Sequence, residues 1–391
     1  MKEHLSTRTR PYTLALLVSA AVAAGSPMLA VSQQQPPPPQ PLAHLTTEER
    51  NRFNNGVEEF VQIETIEEGL GPVFNGRSCA ECHNRPTIGG ASNTFVTRFG
   101  RYTNGQFDPM TEFGGSLIQV NGITTDTCSA SGEVVPPEAS VSTRRETQPL
   151  FGLGLIDAIP DQRILRFADP DDRNHDGISG RPNLLNGHVG KFGWKAQVAT
   201  VHEFAGDAYL NEMGITNPQF PTESSPQGGP VVCDTVQDPE DDGSGVQAFT
   251  DFMSLLAPLP RAPVSGLAAT GRTVFRHLKC QACHRASMIT GPNPVRALNR
   301  RRARLFSDLL LHDMGPQLAD GIAQGQATGS EFRTAPLWGV GQTPPYLHDG
   351  RAPTLEAAIA AHGGEAQAAR DLFIALPRAA QDALIAYLRT L

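Results

Sequence analysis

Two pentapeptides constrain this chain more than anything else in it: Cys79-Ala80-Glu81-Cys82-His83 and Cys280-Gln281-Ala282-Cys283-His284. Two thiols three positions apart can each form a thioether to a haem vinyl group, and the adjoining imidazole then lies under the iron. Two plainer readings compete. A thioredoxin-like redox pair has no need of the following histidine, and half a zinc site needs matching ligands nearby. One such pentapeptide in an exported chain points to haem, and two leave little room for coincidence. The sequence thus predicts two haem c groups. Cys79, Cys82, Cys280 and Cys283 are the attachment points, and His83 and His284 are the proximal iron ligands.

The length of 391 residues suits two domains of ordinary size. Apolar residues make up 39%, enough for packed cores, while aromatics are only 6%. A macrocycle would fill interior volume that aromatics usually fill. Four of the six cysteines belong to the two motifs, leaving Cys128 and Cys233. In an oxidising compartment two spare cysteines form a disulfide more often than two unrelated buried thiols, and the bridge is expected here.

Residues 1–30 read as a secretory leader. Lys2, Arg8 and Arg10 precede an apolar run of 11 residues, Leu14 to Ala24, too short for an ordinary membrane span. An uncleaved anchor is the alternative. Export fits haem c, which is attached outside the bacterial cytoplasm, so a periplasmic protein with no membrane span after cleavage is expected. Losing Lys2, Glu3, Arg8 and Arg10, a net +2, takes the formal charge from −8 to −10. That charge disfavours nucleic acid as a partner and suits a basic electron-donor protein.

Residues 31–45, with the Gln/Pro tract Gln33 to Pro41, read as an extended linker. A helix then starts at Thr46, with Glu49 closing a capping box and Phe53, Val57, Phe60 and Val61 at helical spacing. Residues 91–145 predict irregular structure with a few short strands. Residues 217–247, rich in Pro, Gly, Asp and Ser, read as a surface excursion pinned through Cys233. Pro258 to Pro263 is the best domain boundary. Beyond it a helix through Gly266, Thr270, Val274 and Phe275 enters the second motif, and the tail carries helices at 354–361 and 381–391. Pro149-Leu150-Phe151-Gly152 and Pro336-Leu337-Trp338-Gly339 follow the two motifs in the same order, a weak internal repeat. The prediction is a mainly α chain of two tandem haem domains, 46–258 and 259–391.

Asp172, Asn174 and Asp176 stand at alternate positions before Gly177, as in the first half of a calcium loop, but the twelfth position is Asn183 rather than Glu. Two readings stay open: a calcium site and a polar turn held by Asx hydrogen bonds.

Longer segments add a resemblance. Phe332-Arg333-Thr334-Ala335-Pro336-Leu337-Trp338-Gly339, Tyr346-Leu347-His348-Asp349-Gly350-Arg351-Ala352 and Leu310-Leu311-His312-Asp313-Met314-Gly315 resemble the bacterial di-haem oxidoreductase family, as do Phe192-Gly193-Trp194-Lys195-Ala196 and Asn211-Glu212-Met213-Gly214-Ile215. The likeness runs from about Thr46 to the C-terminus. The family is often labelled thiol oxidoreductase or peroxidase. All six cysteines are already assigned, which gives the first label no support. More distantly the plan is similar to di-haem cytochrome c peroxidases, with two cytochrome c-like domains, a peroxidatic haem in the first and an electron-transfer haem in the second.

That resemblance implies roles. Those peroxidases bind the second iron through a Met 14 positions after the His of Tyr-x-His-Asp-Gly; counted from His348 this position is His362, implying a bis-His iron. Trp194 falls where they place a Trp between the haems. Glu212 falls within about two positions of their distal acid. The switchable histidine that many of them carry is replaced by Phe99, and Phe204 stands near their distal Gln.

Three functions are thus in play: reduction of hydrogen peroxide, with electrons from a small cytochrome c or cupredoxin; electron transfer without substrate chemistry; and oxygen activation of the rubber-oxygenase kind. They differ in the open face of the first iron. An acid beside an open position gives a peroxidase, a closing side chain a carrier, and an apolar pocket an oxygen-activating enzyme. Glu212 favours the peroxidase. His188 and His202 are histidines that could close the iron, although an ordinary surface or core histidine is the commoner reading of both.

Overall fold

The structure is a computed structural model that describes residues 37–391; the expected leader and the first six residues of the expected linker lie outside the described residues. Ten helices are described: α1 Thr47–Val61, α2 Cys79–Cys82, α3 Leu153–Asp157, α4 Asp161–Leu165, α5 Val201–Met213, α6 Ser244–Leu255, α7 Gly266–His277, α8 Leu355–Ala361, α9 Gln367–Ala375 and α10 Arg378–Leu388. Helix holds 31% of the residues and strand 15%, so α structure leads. Among the described residues, no helix is long and apolar enough to cross a membrane.

The capping box that opens α1 is formed. The Glu49 amide donates to Thr46 Oγ1 at 3.1 Å, and the Thr46 amide donates to Glu49 Oε2 at 2.8 Å. The helix buries Phe53 and Phe60 against Phe252 of α6, with ring centroids 5.6 and 4.6 Å apart. Gly56 permits that approach, since a Cβ there would lie 2.4 Å from the carbonyl oxygen of Ala248. The second half repeats the device. Phe275 of α7 packs on Tyr387 of α10 at 5.5 Å, and a Cβ on Gly271 would meet the Ala383 carbonyl oxygen. Each Cys-x-x-Cys-His thus follows a helix that is locked to a later helix through a glycine. The paired Pro-Leu-aromatic-Gly turns agree as well, with Gly152 and Gly339 left-handed at φ 72° and 73°.

Two large apolar cores result, beside two small clusters around Phe99 and around Leu311. One gathers α1, α3, α5 and α6; the other gathers α7 and α10 with Phe306, Leu355 and Phe373. The first core also takes in Leu305, Leu309, Leu310 and Trp338, so it is not confined to one side of Pro258.

Three features differ from expectation. The end of the Gln/Pro tract is docked: the Leu42 amide donates to the Leu255 carbonyl at 2.7 Å, and the Ala257 amide to that of Gln40 at 2.8 Å. Burial of Leu42 explains this. Strand Phe95–Thr103 is nine residues long and pairs antiparallel with Val141–Glu146 and Gln106–Asp108. Helix α9, buried only through Phe373, has too few core positions to declare itself by periodicity. The Cys128–Cys233 bridge is present, with Cα atoms 5.6 Å apart, and ties the 217–247 excursion to the first half.

Candidate functional site

The two motifs open onto two cavities that meet at Trp194. In the first, Ser78 caps α2 and positions Cys79, Cys82 and His83 along its wall. His83 Nδ1 lies 3.0 Å from the Gly90 carbonyl oxygen, which places the ring hydrogen there and leaves Nε2 as the basic nitrogen. Burial lowers His83 to about 4, so the imidazole is neutral.

Helix α5 supplies Glu212 to the same cavity. Its Oε2 accepts from Asn75 Nδ2 at 2.8 Å. Burial raises the Glu212 carboxyl, against the lowering effect of Asn75 and of the Arg98 charge. Arg98 projects from strand Phe95–Thr103 into this cavity. It makes no ion pair among the described residues, and its side-chain contact is a long one, 3.4 Å to Ser116 Oγ. Burial lowers it, while Glu212, Asp207 and Asp320 favour its charge.

Trp194 and Glu146 line both cavities. The indole Nε1–H donates to the Glu146 carbonyl at 3.0 Å, and the Trp194 carbonyl accepts the Arg333 amide at 2.9 Å. Its ring meets His348 edge-on at 6.4 Å, and His348 stacks on Phe332 at 4.2 Å. Beneath lies a buried ion cluster in which Asp320 pairs with Arg145 at 2.7 Å and with Lys195 at 3.2 Å. The Trp194 ring is therefore held by the Glu146 carbonyl and His348, and its backbone by Arg333.

The second cavity contains Cys280, Cys283 and His284, with His284 Nδ1 3.0 Å from the Phe306 carbonyl oxygen. His362 ends α8 and faces the same space, its Nδ1 2.8 Å from the Ala358 carbonyl oxygen. Burial, and then the nearness of His362, lower His284 to about 4; burial also lowers His362. Each ring keeps Nε2 as its basic nitrogen. Three other cavity side chains are rivals of His362. His312 has both nitrogens engaged, by Glu365 at 2.6 Å and Asp308 at 3.0 Å, and these partners hold it well above the ordinary histidine range despite burial. Met314 and His348 also line the space.

The histidines in question for the first iron lie elsewhere. His188 is 75% exposed beside Asp161, and His202 Nδ1 lies 3.0 Å from Thr250 Oγ1. In the 172–177 loop, Asp172 Oδ1 accepts the Asp176 amide at 3.0 Å, Asn174 Oδ1 accepts it at 2.8 Å, and Asp176 Oδ1 accepts the Ile178 amide at 3.0 Å. The Asn174 and Asp176 bonds, each two residues on, are Asx-turn bonds.

Residues 137–391 match the family described as "Di-haem oxidoreductase, putative peroxidase". The chain belongs to this di-haem oxidoreductase family. Similar solved structures include Kuenenia stuttgartiensis hydrazine synthase (14% identical, covering 96% of this chain and 100% of that chain, TM-score 0.43). A MauG-like protein associated with microbial copper homeostasis is 16% identical, over 91% and 93% of the two chains, with a TM-score of 0.40. The diheme peroxidase BthA of Burkholderia thailandensis is 15% identical, over 87% and 86%, at 0.39. All three are distant likenesses. No curated protein matches.

The residues present fit the two haems of a di-haem oxidoreductase. Each cavity offers a neutral imidazole whose second nitrogen is anchored on a carbonyl, the arrangement that orients a metal-bound histidine. Burial raises the four motif thiols, Cys82 to about 11 and Cys280 to about 12. Redox-active Cys-x-x-Cys pairs need the opposite, a depressed thiol. Arg98, Asn75 and Glu146 escaped the sequence reading, because nothing local marks a residue that becomes important through a partner far along the chain.

Proposed function

We propose that this di-haem oxidoreductase reduces hydrogen peroxide at the first centre with electrons delivered through the second. The observation that carries the reading is an asymmetry. The second cavity presents two anchored imidazoles, His284 and His362, whereas the first presents His83 alone together with the enclosed acid Glu212.

In this reading Cys79 with Cys82, and Cys280 with Cys283, hold haem c through thioethers, and His83 and His284 are the proximal ligands. Bound haem supplies the iron that takes peroxide and exchanges electrons. The chain supplies the proton handling and the path. Peroxide must lose a proton on binding, and the departing oxygen must gain one. Glu212 takes that proton at its carboxylate and returns it, which is general acid–base catalysis. Burial raises its carboxyl, the direction that favours holding a proton between the two transfers. Arg98 sets a cation in the same cavity, where it stabilises the anion that forms. His362, facing the second cavity with its Nδ1 on a carbonyl, would hold the second haem together with His284, and two nitrogen donors would give that group an electron-carrier's role at a lower potential than His/Met. Trp194, shared by both cavities, is the relay.

The two halves, 46–258 and 259–391, are read as cytochrome c-like haem domains. Glycine-locked helix pairs that precede or frame each motif support this. The acidic charge suits a small basic donor such as a cytochrome c or a cupredoxin, and the basic, apolar N-terminus supports export to the periplasm. Calcium at Asp172, Asn174 and Asp176 remains a proposal beside the Asx-turn reading.

Met213 and Met253 also face the first cavity. If either closed the iron, the protein would be an electron carrier without peroxide chemistry. EPR of the oxidised protein separates the readings. The peroxidase gives one high-spin and one low-spin ferric centre; two low-spin centres in every redox state give the carrier.

A further inference from the structure

We propose that Tyr209 is a redox-active tyrosine of the first centre and that Glu64 is the acceptor of its proton. The proposal rests on a haem centre in the first cavity that becomes oxidised during turnover.

Tyr209 stands one turn before Glu212 on α5 and lines the same cavity. Its hydroxyl lies 3.0 Å from Glu64 Oε1, and the two residues are 6% and 3% exposed. The ring is set edge-on against Phe249, with centroids 4.9 Å apart. Among the described residues Glu64 forms no ion pair, and the carboxylates of Glu59 on α1, Glu68, and Asp241 ahead of α6 lie near enough to disfavour its charge. A neutral carbonyl would satisfy a buried hydroxyl at far lower cost than a buried carboxylate. A base at this place becomes intelligible if the hydroxyl has to give up its proton.

A phenol yields an electron readily only when its proton leaves with it. In the step proposed, the Tyr209 O–H bond breaks and a Glu64 O–H bond forms. One electron passes from the ring to the oxidised first haem, which is reduced by one equivalent. A neutral tyrosyl radical and a neutral carboxyl remain. The reductant that serves the enzyme then returns one electron, and Glu64 returns the proton. Burial, and then the neighbouring carboxylates, raise Glu64 to about 7, against the lowering effect of the Tyr209 hydrogen bond, so that it is poised between its two forms at neutral pH. A radical held on Tyr209 gives the oxidised centre a second place to store its oxidising equivalent when reductant is scarce.

The test is freeze-quench EPR of the holoprotein, without reductant, in two arms: hydrogen peroxide, and hexachloroiridate as a one-electron oxidant. A narrow tyrosyl signal that changes with ring-deuterated tyrosine is expected in both arms. It should vanish in Tyr209→Phe with both haems retained, and weaken at least several-fold in Glu64→Gln. No tyrosyl signal in either arm, or an undiminished signal in Tyr209→Phe, overturns the proposal. A Tyr209 signal with the iridium oxidant, in a protein that does not consume peroxide, upholds it while removing the peroxidase reading.

Discussion

Asn75 and Glu212 hold each other: Asn75 Nδ2 donates to Glu212 Oε2 at 2.8 Å, and the Glu212 carbonyl accepts the Asn75 amide at 2.7 Å. Asn75 lies four positions ahead of Cys79. The acid and the first motif are therefore fixed to each other although 137 positions separate the hydrogen-bonding pair. In Asn75→Ala the carboxylate loses a donor that favours its charged form, so its pKa rises further. Glu212 must be ionised to take a proton, so turnover is lost at a higher pH as the solution is acidified. The acid limb of the pH–rate profile is expected to move up, with a stability cost of about 1–3 kcal/mol. An unmoved limb would show that Asn75 does not tune the acid.

The second centre is expected to change spin state in His362→Ala. Removing an axial nitrogen leaves that iron five-coordinate or water-bound, so its low-spin EPR signal should disappear while the first centre is unchanged. Met314→Ala should leave both signals intact. The reverse pattern would assign the ligand to Met314.

What was legible in the sequence was local. The two Cys-x-x-Cys-His motifs, the Thr46/Glu49 box and the Gly152/Gly339 turns are each fixed by a few adjacent residues. The Cys128–Cys233 bridge was accessible by counting. What stayed hidden depends on partners far along the chain. Arg145 and Asp320 are 175 positions apart, and neither has a sequence context that marks it as half of a buried pair. The strand through Phe95 shows itself only when Val141–Glu146 lies beside it, because strand propensity is largely a property of the neighbours. Arg98 and Asn75 belong to the same class.

Cys128→Ser with Cys233→Ser should lower stability by about 2–4 kcal/mol, since the bridge closes a long loop. Denaturant midpoints check this. Peptide mapping without reduction should recover the two cysteines in one linked fragment.

Glu146 predicts a pH dependence of stability. Burial, set against Arg85 and reinforced by Asp349, raises its carboxyl to about 8. The folded chain then holds a proton that the unfolded chain has released. Stability from this group is full below the ordinary glutamate range and falls as pH rises from there through about 8. Glu146→Gln should flatten the decline in melting temperature over that window and leave acid stability alone. An unchanged slope would mean that another group carries it.

The account turns on Glu212 as the acid–base of the first centre, and the direct measurement is peroxide turnover in Glu212→Gln with both haems retained. Glutamine keeps the size and a hydrogen-bonding oxygen but can neither take nor return the proton. The account predicts a loss of about 10²–10⁴-fold. Turnover equal to that of the unaltered protein would contradict it.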